Sequence, residues 1–121
     1  MAHADLRDAI LGSAKLRGAA LDNARLSNTS LSGAAANGTT FTDTDFRGTD
    51  LSRTCFVNAD LRRARLRGAT LHDTDLTGAN LAEADLPGTD LSTTVGLTAD
   101  ALKAAVTDMS TVLPPELRGR L

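Results

Sequence analysis

Residues 59–93 read ADLRR, ARLRG, ATLHD, TDLTG, ANLAE, ADLPG and TDLST, seven consecutive blocks of five. The third residue of every block is Leu, and the first is only Ala or Thr. Counted backward in fives from Leu61, the same beat reaches Ala4. Its centres run Leu6, Leu11, Leu16, Leu21, Leu26, Leu31, Ala36, Phe41, Phe46, Leu51, Phe56 and on to Leu91. All 18 units carry Ala or Thr two residues before the centre, and 17 of the 18 centres are Leu or Phe. Helices repeat every 3.6 residues and strands every 2, so neither produces this pattern.

A period of five with two apolar or small positions implies a recurring tight bend. The Leu or Phe points inward and builds the core. The Ala or Thr also points inward but stays small, because it sits beside the corner. The other three positions face water and are mostly Asp, Arg, Ser, Thr, Asn and Gly. Seven of the ten glycines (Gly18, Gly33, Gly38, Gly48, Gly68, Gly78, Gly88) fall two residues after a centre, and Asn23, Asn28 and Asn58 share that slot. Gly and Asn tolerate the positive φ of a type II turn. The corners are therefore expected to mix type II with less regular turns.

In its tandem A(D/N)LxG pattern over residues 4–93 the chain resembles the pentapeptide repeat family. The resemblance implies an all-β solenoid, a right-handed quadrilateral β-helix in which four such bends close a square coil of 20 residues and coils stack about 4.8 Å apart. Residues 4–93 then supply about four and a half coils, a rod on the order of 20 Å long. The fading of the repeat after Leu91 divides the chain into a β-helix over 1–95 and a C-terminal capping helix and extended tail over 96–121.

Stacking residues twenty apart predicts the packing. Leu16, Ala36, Phe56 and Leu76 share a column, so the undersized Ala36 lies beneath Phe56, with Phe41 and Phe46 in its layer. The three Phe then fill the volume Ala36 leaves. Leu26, Leu66 and Leu71 belong to the same predicted core. After Leu91 the beat fades. Thr98 is a candidate N-cap, Asp100 lies in the first turn, and Leu97 can staple onto Leu102. Leu102, Ala105, Val106 and Met109 then fall at helical spacing, which predicts a capping helix ending near Asp108–Ser110, before Pro114-Pro115. Residues 1–3 offer no cover for Leu6, Leu11, Leu16 and Leu21. Ile10 also stands in an outward slot where a polar residue is usual. This end is therefore expected either to pair with another chain or to fray, and Ile10 favours the first, a homodimer formed through an end of the solenoid.

Composition narrows the function. The chain has 121 residues, three Phe, no Tyr and no Trp, with 13 basic and 15 acidic residues for a net charge of −2. That balance, with no aromatic interleaving, speaks against nucleic acid as a partner. No run reaches the roughly 20 apolar residues of a membrane span, and no basic-then-apolar leader opens the sequence. The single Cys55 fits a reducing, cytoplasmic setting and excludes an intrachain disulfide. His3 and His72, without a third clustered ligand, make a poor metal site. No catalytic, cofactor-binding or metal-binding residue is predicted.

The remaining candidate surface is a basic cluster: Arg62, Arg63, Arg65 and Arg67, with Arg47 one coil below. Arg63 is expected between Asp43 and Glu83, and Arg65 between Asp45 and Asp85. The resemblance implies a second possibility, since known family members mimic DNA and bind DNA gyrase or topoisomerase IV, protecting against quinolones. Such a rod needs an acidic surface. Here the column Asp5-Arg25-Asp45-Arg65-Asp85 alternates in sign, and the repeat region carries 12 acidic and 10 basic residues. The expected role is thus a non-catalytic interaction or structural scaffold with an unknown protein partner, and topoisomerase modulation is the alternative.

Overall fold

The computed structural model describes residues 1–120, and Leu121, the last residue of the expected C-terminal segment, lies outside the described residues. Parallel bridges join residues twenty apart all along the rod. Asp5 pairs with Arg25, Arg25 with Asp45, Asp45 with Arg65 and Arg65 with Asp85, and three neighbouring columns do the same from Ile10, Lys15 and Ala20. These columns define four sides of a β-helical solenoid. Side A carries Asp5, Arg25, Asp45, Arg65 and Asp85. Side B carries Ile10, Ser30, Asp50, Thr70 and Asp90. Side C carries Lys15, Ala35, Cys55, Asp75 and Val95, and side D carries Ala20, Thr40, Asp60 and Asn80.

Among the described residues these are isolated bridges, not extended strands. A corner every five residues leaves one residue per side whose N–H and C=O both enter the ladder. Arg25, for example, donates to the Ala4 carbonyl at 2.8 Å and accepts from the Leu6 N–H at 2.9 Å.

The corners are more uniform than the sequence predicts. Every residue two after a centre, from Asp8 through Gly88, has φ between 56° and 74°. The small residue that follows donates back to the centre's carbonyl, as Ala69 does to Leu66 at 3.0 Å. This is the type II turn at each corner, adopted even by Arg53, Arg63 and Glu83. A left-handed non-glycine residue costs on the order of 1–2 kcal/mol. What offsets it is the ladder: Arg53, Arg63 and Glu83 donate their N–H groups to His72, Ala82 and Ala104 at 2.8, 3.0 and 2.7 Å.

The core is a narrow apolar column. Leu26, Ala36, Phe41, Phe46, Phe56, Leu66 and Leu71 are all buried. The three rings meet edge to face, with centroids 5.1, 5.5 and 6.1 Å apart, the arrangement their quadrupoles favour. Threonines in the small slot also have a polar task. The hydroxyls of Thr44, Thr49, Thr54, Thr74 and Thr89 donate to carbonyls of Leu21, Leu26, Leu31, Leu51 and Leu66 in the coil below, at 2.6–3.1 Å. A buried hydroxyl is thereby satisfied, and consecutive coils gain a side-chain bond besides the ladder. Toward the N-terminal end burial falls away: Leu6, Leu11 and Leu16 are only partly buried, whereas Leu21 is buried.

At the other end α1 (Ala99–Ala104) takes the place of a fifth rung on side D. Thr98 caps it by accepting the Ala101 N–H at 3.1 Å. Leu97 and Leu102 are buried in the core cluster. The helix is shorter than its apolar spacing predicts, and Val106 and Met109 do not extend its face. Val106 is 48% and Met109 105% exposed. The ladder outcompetes the helix here, because Val106 bridges Asp85, donating to Ala84 at 2.8 Å and accepting from Leu86 at 2.9 Å. Val112 bridges Asp90 in the same way. Thr111 repeats the threonine bond, donating to Leu86 at 2.9 Å. The tail then turns through a 3-10 segment, Pro115–Leu117, which brings Leu117 into the core cluster.

Candidate interaction surface

The predicted arginine cluster lies along one side of the rod. Arg65 stands on side A, Arg62 and Arg63 occupy the corner before it, and Arg67 and Arg47 occupy the corner after it on successive coils. Their partners differ from those read by stacking alone. Arg63 does reach down to Asp43, with bonds of 3.0 and 3.2 Å. The carboxylates flanking Arg65 are taken by others. Asp45 accepts Nε and Nη2 of Arg47, both at 2.8 Å, and the Arg47 backbone N–H at 3.1 Å. Asp85 accepts Arg67 Nε at 2.9 Å. Arg65 has no ion pair within 4 Å among the described residues.

The local geometry explains the exchange. Residues before and after an inward centre both point outward, and the turn leaves the second one's N–H without a ladder partner. The carboxylate before the centre accepts that N–H and the guanidinium together. Asp5–Arg7, Asp45–Arg47 and Asp60–Arg62 all use this fork, with Nη2 to carboxylate distances of 2.7, 2.8 and 2.7 Å. Asp50, Asp75, Asn80 and Asp90 accept the same turn N–H without an arginine, at 2.9–3.1 Å. The triplets Asp-Leu-Arg and Asp-Phe-Arg were the available sequence signal for these forks.

These bonds hold the carboxylates in their charged form. The Arg7 guanidinium, with the Arg7 N–H, lowers Asp5 from 3.8 to about 2. The side-chain bond from Arg47 lowers Asp45, and that from Arg62 lowers Asp60. A carboxylate whose folded value lies below its unfolded value contributes stability above the unfolded value and loses it as pH falls through the folded one. The thermal midpoint is therefore expected to be flat from neutral pH down to the ordinary carboxylate value of 3.8 and to fall between there and about 2. A pH series of melting curves checks this; a steep loss already at about pH 6, where histidine titrates, would contradict it.

The other reactive side chains are dispersed. His72 sits on the corner after side B, with Nδ1 3.2 Å from the Thr93 hydroxyl and Nε2 3.2 Å from Asp73. Cys55 is a half-exposed free thiol on side C. The rod is not wholly convex. A depression of about 360 Å³ lies between the Gly68 and Gly88 corners beside His72 and Asp90, and another of about 450 Å³ lies over Ala35 between Lys15 and Arg17. The first is lined by His72 and the Thr93 hydroxyl 3.2 Å from it, with Ser92 and Asp90; the second is lined by Lys15, Arg17 and Ala35 alone. Among the described residues no group of three His, Cys, Asp or Glu is placed to hold a metal. No helix among the described residues is long and apolar enough to cross a membrane.

A twenty-residue coil with Leu or Phe inward, Ala or Thr beside each corner and a carboxylate closing the turn defines a β-helical repeat protein. The family model for pentapeptide repeats (8 copies) matches residues 1–34, 24–63 and 54–92, and the chain belongs to the pentapeptide repeat family. Solved structures agree. A pentapeptide repeat protein (alr5209) from Nostoc PCC 7120 is 34% identical, with a TM-score of 0.70 over 90% of this chain and 84% of that one. Rfr23, a pentapeptide repeat protein from the cyanobacterium Cyanothece 51142, is 27% identical, with a TM-score of 0.71 over 91% of this chain and 84% of that one. HetL of Nostoc sp. PCC 7120, involved in heterocyst differentiation regulation, is 25% identical, with a TM-score of 0.59 over 95% of this chain but 55% of HetL. No curated protein matches the chain.

Proposed function

We propose that this protein is a non-catalytic scaffold, a right-handed quadrilateral rod whose outward columns engage a protein partner. One end of the rod is closed by residues 97–121, and the other associates with a second copy. The observation that carries this reading is the internal pairing on side A. Arg47, Arg62, Arg63 and Arg67 each already hold a carboxylate, so the face is patterned and nearly neutral. Exposed pairs of this kind add only about 0–1 kcal/mol each to stability. Their value is a fixed spatial code of donors and acceptors, which favours selective contact with a folded protein over general capture of phosphate. Arg65, without an ion pair among the described residues, is a cation open to a partner carboxylate. The lone Cys55 is consistent with a cytoplasmic setting.

The likeness to HetL, a protein involved in heterocyst differentiation regulation, makes a regulatory role one to test. The sharper test separates the scaffold from a topoisomerase modulator. Purified protein is expected to leave gyrase supercoiling unchanged at about 10 μM, a concentration at which a micromolar binder would be more than half bound, and to give no protection from a quinolone. Inhibition or protection in that range would overturn the scaffold reading. Capture of a specific host protein that is lost on Arg65→Glu would support it.

A further inference from the structure

One turn on side C is left open. In seven units of the rod the residue before the centre is Asp or Asn and accepts the N–H of the residue after it, at 2.9–3.3 Å. The unit centred on Ala36 has Ala35 in that place, and the Asn37 N–H makes no hydrogen bond among the described residues. The same unit holds a buried side-chain oxygen, Asn37 Oδ1, that also has no partner among them. A donor and an acceptor unpaired together mark an incomplete set of hydrogen bonds. This unit lies on the flank of the rod, with coils both above and below it.

Ala35 is surrounded by what a carboxylate meets elsewhere on the rod. Arg17 precedes position 35 by eighteen residues, as Arg67 precedes Asp85, and Arg67 Nε donates to Asp85 at 2.9 Å. Lys15 lies directly below Ala35 across a parallel bridge, the relation in which the Arg25 guanidinium stands 4.0 Å from Asp5. Neither Lys15 nor Arg17 has an ion pair within 4 Å among the described residues. With Ala35 they line the depression of about 450 Å³. Other units also lack an acidic residue before the centre. Only here do both places one coil below, twenty and eighteen residues earlier, hold cations.

We infer that this depression binds a carboxylate from outside the chain, an Asp or Glu side chain of a partner protein seated over Ala35. The carboxylate accepts the Asn37 N–H as Asp45 accepts that of Arg47, and takes the Arg17 guanidinium as Asp85 takes that of Arg67. Lys15 adds a second positive charge from below. Such charge-assisted bonds are stronger than neutral ones. The site encloses little, which suits a side chain projected by a folded surface better than a free small acid. The inference deepens the scaffold reading, on which it rests in taking the carboxylate from a protein, and it adds side C as a contact face.

The test follows the Asn37 backbone amide in proton–nitrogen correlation spectra of the 121-residue chain. The probe is the end-blocked peptide Ala-Ala-Asp-Ala-Ala at constant ionic strength, with Ala-Ala-Asn-Ala-Ala as control. The Asp peptide is expected to move the Asn37 signal downfield with a Kd of about 1 mM, and the Asn peptide to leave it in place. K15E/R17E should weaken binding at least about tenfold. A35D should fill the slot from within. Its Asn37 amide is expected downfield without peptide, its thermal midpoint above that of wild type, and its response to peptide lost. Asp already occupies the corresponding place in other units, so this variant keeps the fold. An Asn37 signal unmoved by about 10 mM Asp peptide, an equal response to the Asn peptide, or a response that survives A35D would overturn the inference. Tighter binding of inorganic phosphate would overturn the choice of a carboxylate. None of these readings involves gyrase or Arg65, so a failure of this site is distinguishable from a failure of the scaffold reading.

Discussion

Leu66→Asp is expected to abolish folding, with loss of the far-UV circular dichroism signal and of any cooperative melt. Leu66 is 2% exposed and stands in a column with Leu26, Phe46 and Leu86, all fully buried. Removing the buried aliphatic group costs about 2–5 kcal/mol. The carboxyl left in its place would have no hydrogen-bond partner in that column, for a further ~2–7 kcal/mol. Together these come to about 4–12 kcal/mol, comparable to the ~5–15 kcal/mol that holds a domain of ordinary size together. Leu66→Met is the control. It preserves volume and should cost less than about 1.5 kcal/mol, so a folded Met variant beside an unfolded Asp variant isolates buried polarity as the cause. A folded Leu66→Asp protein would mean that the layer can open to water, contrary to its burial.

Removing residues 97–121 should have the second largest effect, aggregation and not the quiet loss of a tail. The deletion strips Leu97, Leu102 and Leu117 from the core cluster. It also removes the bridges of Val106 to Asp85 and Val112 to Asp90, leaving the carbonyls of Ala84 and Thr89 without their donors. An apolar layer over an unpaired ladder is a template for intermolecular pairing. Light scattering on the purified truncation is expected to show particles far larger than a dimer. A soluble, monomeric truncation would show that the C-terminal segment does not protect the end.

Much of the architecture was legible because the inward positions have little choice. A centre must fill the column and its neighbour must clear the corner, so Leu61 through Leu91 and the residues two before them announce the coil directly. The gathering of Phe41, Phe46 and Phe56 into one buried cluster was legible for the same reason, since twenty-residue stacking converts sequence position into a layer. What stayed hidden depends on competition between local and long-range bonds. Arg53, Arg63 and Glu83 have no preference for positive φ, yet the ladder holds them there. The helix pattern through Met109 satisfied apolar spacing but ended at Ala104, because bridging Asp85 gave Val106 a better set of partners. The surface pairing was misassigned at Arg65 because stacking considers the rung above and below. The fork between Asp45 and Arg47 forms within one rung and orders less chain.

The twenty-residue bridge spacing also governs how this molecule can change length. Inserting one five-residue unit would keep every Leu inward yet turn all later segments by a quarter revolution. Asp45 would then no longer lie beneath Arg65, and the charge pattern of each side would be cut at the insertion. Inserting four units at once restores every column to its own side. The core tolerates growth by fives, but the surface is conserved only under growth by twenties. Any history of duplication that preserved a partner's docking face was confined to whole coils.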